Sequence, residues 1–541
     1  MDDAMSVKNY PYDYTDRYSH RKPITRATSG SAHRPDAVFC TDRNASTESQ
    51  QNSLPDNDST RHGPSCGMYS GEGKHMAPWF RQHMVKGSFC QENGQIIDNS
   101  PTLLQKVSSL YDDRELSDIE IVVGSRVYYL QKMILCCSSD VFRVMLTDQS
   151  WVDCRKPRVA LREEPACIQV FEHFLRYLYT GVVHLDHYNV LSILMLADKY
   201  NVLDLQEVCV DYMCSHVVSS TKHNHAVSWL QYARLCRHPG LAEMCQRFIM
   251  WNFHKVASSG EFLTMELDLL TEFLQSSSLV VPNEYILYRF VSYWILNHKT
   301  KYSHQDRTYG TVALQLLSLV RFPMMSLHQL CQIEKDDLSL SFAEFFREQI
   351  SSSMMYHSCP LDERKTRCQF PAHQLHPRNY TSEMWSTSLV VKDFPNMVQY
   401  DMRSLFLLSP ISGSEADENR SWEWNIDLFP KGVQFQRCLM IGLWRNLEVN
   451  GTIYNTVRLS LECRIPERRH VDVSLLVTGV QDDVEYVRSV TERRCPFDEH
   501  IQVYNFNDII PFDELNTPHS AYFSGPDANC FKITIIIKPV T

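Results

Sequence analysis

Aliphatic residues are sparse and almost never clustered over the first hundred positions of the chain, and then arrive with regular spacing. From Met1 to about Asn99 the sequence is Ser, Asp, Asn, His, Arg, Tyr and Pro, with acids and bases nearly cancelling. Such a segment buries too little apolar surface to offset the entropy of ordering, so residues 1–99 are expected to form a disordered tail. Its tyrosines, Tyr10, Tyr12, Tyr14 and Tyr18, are candidates for modification or short partner motifs; the plainer reading is an extension with no fixed role.

Helical spacing begins at Ser100. Leu103, Leu104, Val107, Leu110 and Tyr111 recur at i, i+1, i+4, i+7 and i+8, one helical face entered through Ser100 and Pro101. Asp118 to Val123 and Arg126 to Leu130 are β-rich runs around Gly124 and Ser125, the pattern of a tight hairpin. Helical periodicity returns over Met133 to Leu146, and Arg158 to Leu161 reads as a third strand. Two more helices are predicted, Ile168 to Tyr179 with a stop at Thr180 and Gly181, and Tyr188 to Lys199. Residues 100–216 therefore read as an α+β domain, a small sheet covered by helices.

The pattern is then helical from about Leu205 to Phe346, with breaks at His238 to Gly240 and at Pro282. Residues 217–350 are an all-α domain of bundle or solenoid type. Residues 351–380 mix Pro, His, Cys and Arg without a period and are expected to be a linker. Over 381–541 the period becomes two. Trp385 to Val391, Leu405 to Leu408, Trp422 to Leu428, Cys438 to Trp444, Thr456 to Cys463, Val471 to Val477, Ile501 to Phe506 and Phe531 to Lys538 predict an antiparallel β-sandwich.

Composition narrows the chemistry. A chain of 541 residues exceeds one ordinary core, which agrees with several domains. The net charge of -11 argues against nucleic-acid binding through a whole-surface positive field. No apolar run approaches the ~18–20 residues of a membrane span, so no membrane insertion is expected. The early acids and missing apolar h-region argue against a secretory signal and favour the cytosol, or the nucleus. In that reducing setting the eighteen cysteines should be free, small core residues. Cys136 and Cys137 are adjacent and no CxxC occurs, so no metal site is expected. The phosphate-loop, GxGxxG, GxSxG and HExxH signatures are absent, and with them any catalytic residue, enzyme activity or cofactor. The string His223, Asn224, His225 is read as a surface loop, not a nuclease motif.

Residues 100–216 resemble a BTB/POZ domain in LSDIEIVV (Leu116 to Val123), LQKMILCCSSDVFRVML (Leu130 to Leu146), FLRYLYTG (Phe174 to Gly181) and LADKYNVLDLQEVC (Leu196 to Cys209). Gln131 stands where many members carry His. Asp118 and Lys132 remain, so the resemblance implies the charged pair of the BTB groove. Residues 217–350 resemble the BACK region in FIMWNFHKV (Phe248 to Val256), EFLTMELDLL (Glu261 to Leu270) and PNEYILYRFVSYW (Pro282 to Trp294). No repeat of 40–50 residues marks a kelch propeller. WNIDLFPKG (Trp424 to Gly432), FNDIIPFDEL (Phe506 to Leu515) and FKITIIIKPV (Phe531 to Val540) are instead similar to a TRAF/MATH-like sandwich.

This resemblance implies a non-enzymatic substrate adaptor of a cullin-3 RING ubiquitin ligase. Its implied partners are cullin-3, a second copy of the chain as homodimer, and a target protein whose identity the sequence does not give. Family adaptors carry a bulky apolar residue, any residue, then Glu in the loop after the Ser-x-x-Phe helix. Trp151, Val152 and Asp153 stand there, with Asp in place of Glu. An aromatic anchor fills a pocket and a carboxylate orients it; against this, Trp151 could pack on its own domain. Tyr200 lies in a helix region that also contributes cullin contacts in the family. Leu103, Leu104, Val107 and Leu110 belong to the helix through which BTB domains dimerise, the competing reading being burial within the same chain. The alternative function is a cytosolic oligomeric scaffold, or a trafficking or Golgi-organisation factor, that binds no cullin. A transcriptional regulator would usually carry zinc fingers, which are missing.

Overall fold

The computed structural model describes residues 98–540 apart from 220–223, 304–308, 369, 435–438, 443–444, 449–452, 465–467, 518–519 and 525–528. The tail expected over 1–99 lies outside the described residues up to position 97. The first ordered elements are α1 (Ser100–Ser108), β1 (Ile119–Val123), β2 (Arg126–Leu130), α2 (Lys132–Ser138), α3 (Asp140–Thr147), β3 (Arg158–Leu161), α4 (Pro165–Thr180), α5 (Val190–Lys199) and α6 (Leu203–Ser215). The hairpin closes with Val123 opposite Arg126, and Gly124 takes the turn at φ 58, a backbone that a side chain would resist. β3 adds in parallel to β1. Ile119, Ile121 and Val123 alternate into the core under Phe171, Phe174 and Leu175 of α4. α4 stops where its sequence says, with Gly181 left-handed at φ 65.

The helical domain comprises α7 (Ala226–Cys236), α8 (Pro239–Trp251), α9 (Phe253–Ala257), α10 (Leu267–Gln275), α11 (Glu284–Asn297), α12 (Lys299–Ser303), α13 (Tyr309–Leu317), α14 (Leu327–Ile333), α15 (Asp337–Ser341) and α16 (Ala343–Ser358). A short strand, β4 (Val280–Val281), precedes α11. Asn283 caps α11 by accepting the Ile286 N–H at 2.9 Å. Trp294 is fully buried, its indole N–H donated to the Met265 carbonyl at 3.0 Å.

The linker expected over 351–380 is corrected. α16 runs through it to Ser358, followed by α17 (Leu361–Arg367), α18 (Ala372–Leu375) and β5 (Asn379–Tyr380). Tyr356, Cys359, Arg364, Arg378 and Tyr380 are all buried. The segment shows no apolar period because charged and polar side chains, not an aliphatic stripe, fasten it to the domains on either side.

The sandwich is built from β6 (Ser386–Val391), β7 (Arg403–Pro410), β8 (Ser421–Phe429), β9 (Val433–Gln434), β10 (Leu439–Gly442), β11 (Arg445–Glu448), β12 (Ile453–Tyr454), β13 (Arg458–Cys463), β14 (Arg469–Gln481), β15 (Val484–Phe497), β16 (Val503–Phe506) and β17 (Phe531–Pro539). Two antiparallel four-stranded sheets, β16-β13-β8-β7 and β15-β14-β17-β6, face each other. Ile426, Leu428, Leu459 and Leu461 of the first meet Val473, Leu475, Ile533 and Ile535 of the second. The outer face of the second sheet is not open to water. Leu476 and Ile536 are buried against Val280 of the helical domain, with Trp251 packed alongside. At one point on the outer edge of β15 a side chain pairs as a strand would: Asn252 donates to the Val487 carbonyl at 3.0 Å and accepts the Val487 N–H at 2.8 Å. Helical domain and sandwich thus keep separate cores, joined by this small apolar seam and by Trp385 and Tyr486, which pack into the helical core.

The described cysteines carry free thiols, and Cys167, Cys209, Cys245, Cys359, Cys368, Cys463 and Cys495 are buried. Burial pushes the Cys209 thiol up to about 12 and those of Cys167 and Cys495 up to about 11. No helix among the described residues is long and apolar enough to cross a membrane.

Candidate partner-docking interface

The loop after α3 is held by its own polar groups. Asp148 accepts the Ser150 N–H on its side chain at 2.9 Å and the Trp151 N–H on its carbonyl at 3.0 Å. A 3-10 turn over Val152–Arg155 follows. Those hydrogen bonds from Ser150 keep the Asp148 carboxyl below the usual range. Trp151 is 50% exposed and Val152 74% exposed, so the largest side chain of the loop does not fill its own core. Asp153 lies on the same turn; its side chain is outside the described residues.

Tyr200 is corrected from surface contact to core residue. Its ring is 2% exposed and stacks on Phe142 with centroids 4.4 Å apart. Its hydroxyl donates to Glu163 Oε1 at 2.5 Å and its carbonyl accepts the Ser139 hydroxyl, also at 2.5 Å. Burial, reinforced by Glu163, raises the phenol well above its ordinary value. The tyrosine thus locks α5 to the start of α3 and cannot meet a partner.

The dimerisation face divides. α1 ends at Ser108, so Leu110 and Tyr111 lie beyond the helix rather than on its face. Val107 and Leu110 pack against the domain's own core, whereas Leu103 and Leu104 stay exposed. The Asp118 and Lys132 pair meets in a different way from that expected: Asp118 Oδ1 accepts the backbone N–H of Lys132 at 2.7 Å, at the start of α2. The residue between the strand and that helix matters more than the sequence indicated. Gln131 is buried, accepts the Tyr179 hydroxyl at 2.7 Å and donates to the Leu110 carbonyl at 3.1 Å and that of Leu116 at 3.3 Å. It ties the segment after α1 to the sheet, a role that a change from His to Gln did not announce.

The surface-loop reading of Asn224 and His225 is also corrected. Asn224 is buried, and His225 Nδ1 meets Glu261 Oε1 at 3.1 Å while Ser228 donates its hydroxyl to Glu261 Oε2 at 2.6 Å. These residues join α7 to the following turn; His223 lies outside the described residues.

Between helical domain and sandwich lies a charge network that no motif marked. Glu284 and Arg378 are both fully buried and 3.1 Å apart, Nε to Oε2. Glu284 also accepts the Tyr380 hydroxyl at 2.6 Å and the Arg321 N–H at 2.9 Å. Arg378 donates further to the Leu319 carbonyl at 2.9 Å, and the Arg321 guanidinium to Ser277 Oγ at 2.9 Å and the His376 carbonyl. On the sandwich side, Lys538 donates to Asn379 Oδ1 at 2.8 Å, and Glu492 accepts Asn379 Nδ2 at 2.6 Å and the Ser278 hydroxyl at 2.6 Å. Burial lowers the Lys538 ammonium although Glu492 and Asp472 oppose it. Burial alone would raise Asp472 and Glu492; Arg494 and His376 around the first, and Ser278, Asn379 and Lys538 around the second, hold both carboxyls below the ordinary range.

His376 reports on this network. Its Nε2 is 3.4 Å from Asp472 Oδ2, yet burial and the Lys538, Arg321 and Arg494 charges outweigh that carboxylate and bring the imidazole down to about 4. A His depressed from its ordinary ~6.5 stabilises the fold above that value, and the contribution is lost as pH falls toward the folded value. The urea midpoint of the full chain should therefore drop between pH 6.5 and pH 4. His376→Gln should flatten that drop; an unchanged pH profile would contradict the assignment.

The domains so described match known families. Residues 107–217 match the BTB/POZ domain, 226–335 the BTB And C-terminal Kelch (BACK) domain, and 375–541 the BTBD17 TRAF domain. The chain carries BTB/POZ, BACK and TRAF domains in that order. The TRAF match begins inside the segment first expected to be a linker, which fits the burial of Arg378 and Tyr380. Among relatives, BTB/POZ domain-containing protein 17 of Xenopus tropicalis is 28% identical over 347 residues, 62% of this chain and 69% of that protein. The mouse protein of that name is 29% identical over 346 residues, 62% of this chain and 68% of its own length. Mouse galectin-3-binding protein is 24% identical over 295 residues, 54% of this chain and 49% of that protein. The BTB, BACK and TRAF domains are of the adaptor type, and the BTB domain points to protein–protein interaction and oligomerisation.

Proposed function

We propose that this chain is a non-enzymatic, dimeric substrate adaptor of a cullin-3 ubiquitin ligase. BTB and BACK hold the cullin and the TRAF sandwich holds the target. The observation that carries the reading is Trp151, half exposed beside the still more exposed Val152 on a hydrogen-bonded loop at the family's cullin-contact position. An aromatic fixed in an accessible place is what a partner pocket can grip. Dimerisation would show two targets to one assembly and raise their effective concentration. BACK covers one face of the sandwich, which leaves the β16-β13-β8-β7 sheet and its edges for the target.

Two tests separate the parts. Cullin-3 should co-purify with the wild-type chain from cells, and Trp151→Ala or Asp153→Lys should lose it; absence from the wild-type sample would sink the reading. Leu103→Asp combined with Leu104→Asp should convert the dimer to a monomer in multi-angle light scattering at micromolar concentration, and a wild-type monomer would refute the two-fold contact. A scaffold that binds no cullin is the second reading. It is supported by the galectin-3-binding proteins, whose name records a partner of another kind.

A further inference from the structure

The hairpin of β14 and β15 is bent, and its far end reaches past the sandwich. The register slips between Val477, opposite Ser489, and Thr478, opposite Val487, so Arg488 faces no residue of β14. Such a bulge sharpens the local twist and re-aims what lies beyond it. Gly479 makes the room: a Cβ there would stand 2.9 Å from the Ala521 carbonyl oxygen and 3.1 Å from the Arg488 side chain. The neighbouring Val480 N–H is fixed to that same carbonyl at 2.8 Å. At the tip Gln481 pairs with Val484 across Asp482 and Asp483, left-handed at φ 49 and 61, the two-residue turn whose twist matches that of its strands.

Beyond the bulge the hairpin meets two other domains. Tyr486 leaves the sandwich core for the helical one, 7% exposed with its ring centroid 6.4 Å from that of Phe248 in α8. Val484 packs on the same core, and Val487 pairs with Asn252. Gln481 goes further and donates to the carbonyl of Ser215, the last residue of α6 in the BTB domain, at 2.7 Å. A helix leaves its final carbonyls without partners of its own, so this amide supplies a donor that α6 lacks. We propose that the bent end of this hairpin is a brace that fixes the TRAF sandwich to BTB across BACK, so that the two outer domains move and unfold as one body. The loop bearing Trp151 and the sheet β16-β13-β8-β7 are then held at one separation rather than sampling many. The inference goes beyond the adaptor reading and holds whether or not a cullin binds.

The test follows amide hydrogen exchange of the full-length chain through a thermal ramp. In the wild type, α6 and β14 should lose protection together. Gln481→Glu combined with Tyr486→Ala sets an acid against the Ser215 carbonyl and empties the contact with Phe248; α6 and β14 should then open about 5 °C or more apart. Gln481→Lys keeps a donor at the helix end and should melt as the wild type does, as should Asp482→Asn with Asp483→Gly, which keeps the turn. Separate opening in the wild type, or joint opening in the Gln481→Glu, Tyr486→Ala variant, would overturn the brace. The photo-crosslinking residue p-benzoylphenylalanine at position 482 reads the contact without loosening it: a crosslink within one chain to residues 211–216 supports the proposal, and a folded chain crosslinked only elsewhere refutes it. Cullin-3 co-purification is scored on the same preparations, and its absence bears on the adaptor reading alone.

Discussion

Replacing Arg378 with Ala should cost the folded chain about 3–5 kcal/mol, the usual loss when one member of a buried ion pair is removed. The cost is large because Glu284 would remain fully buried with its charge and lose its guanidinium, while the Leu319 carbonyl loses its donor. Arg378→Lys should recover only part of it, since a single ammonium cannot span Glu284 and the Leu319 and Ser276 carbonyls together. Arg143→Ala, which breaks the solvent-exposed pair with Asp140, is the control and should change stability by about 0–1 kcal/mol. Urea unfolding of the full chain followed by tryptophan fluorescence measures all three. An Arg378→Ala loss no larger than the control would contradict the claim that the network joins BACK to TRAF. Because residues from α11, the 376–380 segment, β14, β15 and β17 all enter this network, the variant should expose the BACK–TRAF junction to proteolysis before the BTB domain.

The second large effect concerns recognition. Trp151→Ala should weaken cullin-3 binding by roughly 30-fold or more, since interface hot spots lose at least ~2 kcal/mol on truncation. Stability should hardly move, because half the ring is already in water and the loop is fixed by Asp148 rather than by the indole. Lost affinity with an unchanged melting temperature separates a contact residue from a packing residue; a parallel fall in both would return Trp151 to its own core. Calorimetry and thermal melts on the same preparation check this.

What the sequence made legible follows its apolar periods. The eight period-two runs fall on β6, β7, β8, β10, β13, β14, β16 and β17. β15 escaped notice because VEYVRSVTERRCPF carries Arg488, Glu492, Arg493 and Arg494. Those charges serve neighbours: Glu492 binds Ser278 and Asn379, Arg494 binds Asp472, and Arg493 lies over Tyr504. α17 was hidden for the same reason. LDERKTR shows no apolar face, since Arg364 anchors it, buried 2.9 Å from Asp417. Tyr200 and Trp151 looked alike in sequence as aromatics near a family contact, and only the fold sends one into the core and the other to the surface. Hydrophobic spacing finds elements that are held by burial; elements held by ion pairs need their partners in view.

The adaptor account is tested most directly by titrating the N-terminal region of purified cullin-3 into the purified full-length chain. The account predicts saturable binding with one cullin per protomer, weakened about 30-fold or more by Trp151→Ala. A folded, dimeric wild-type chain that gives no heat of binding at micromolar concentration would contradict it.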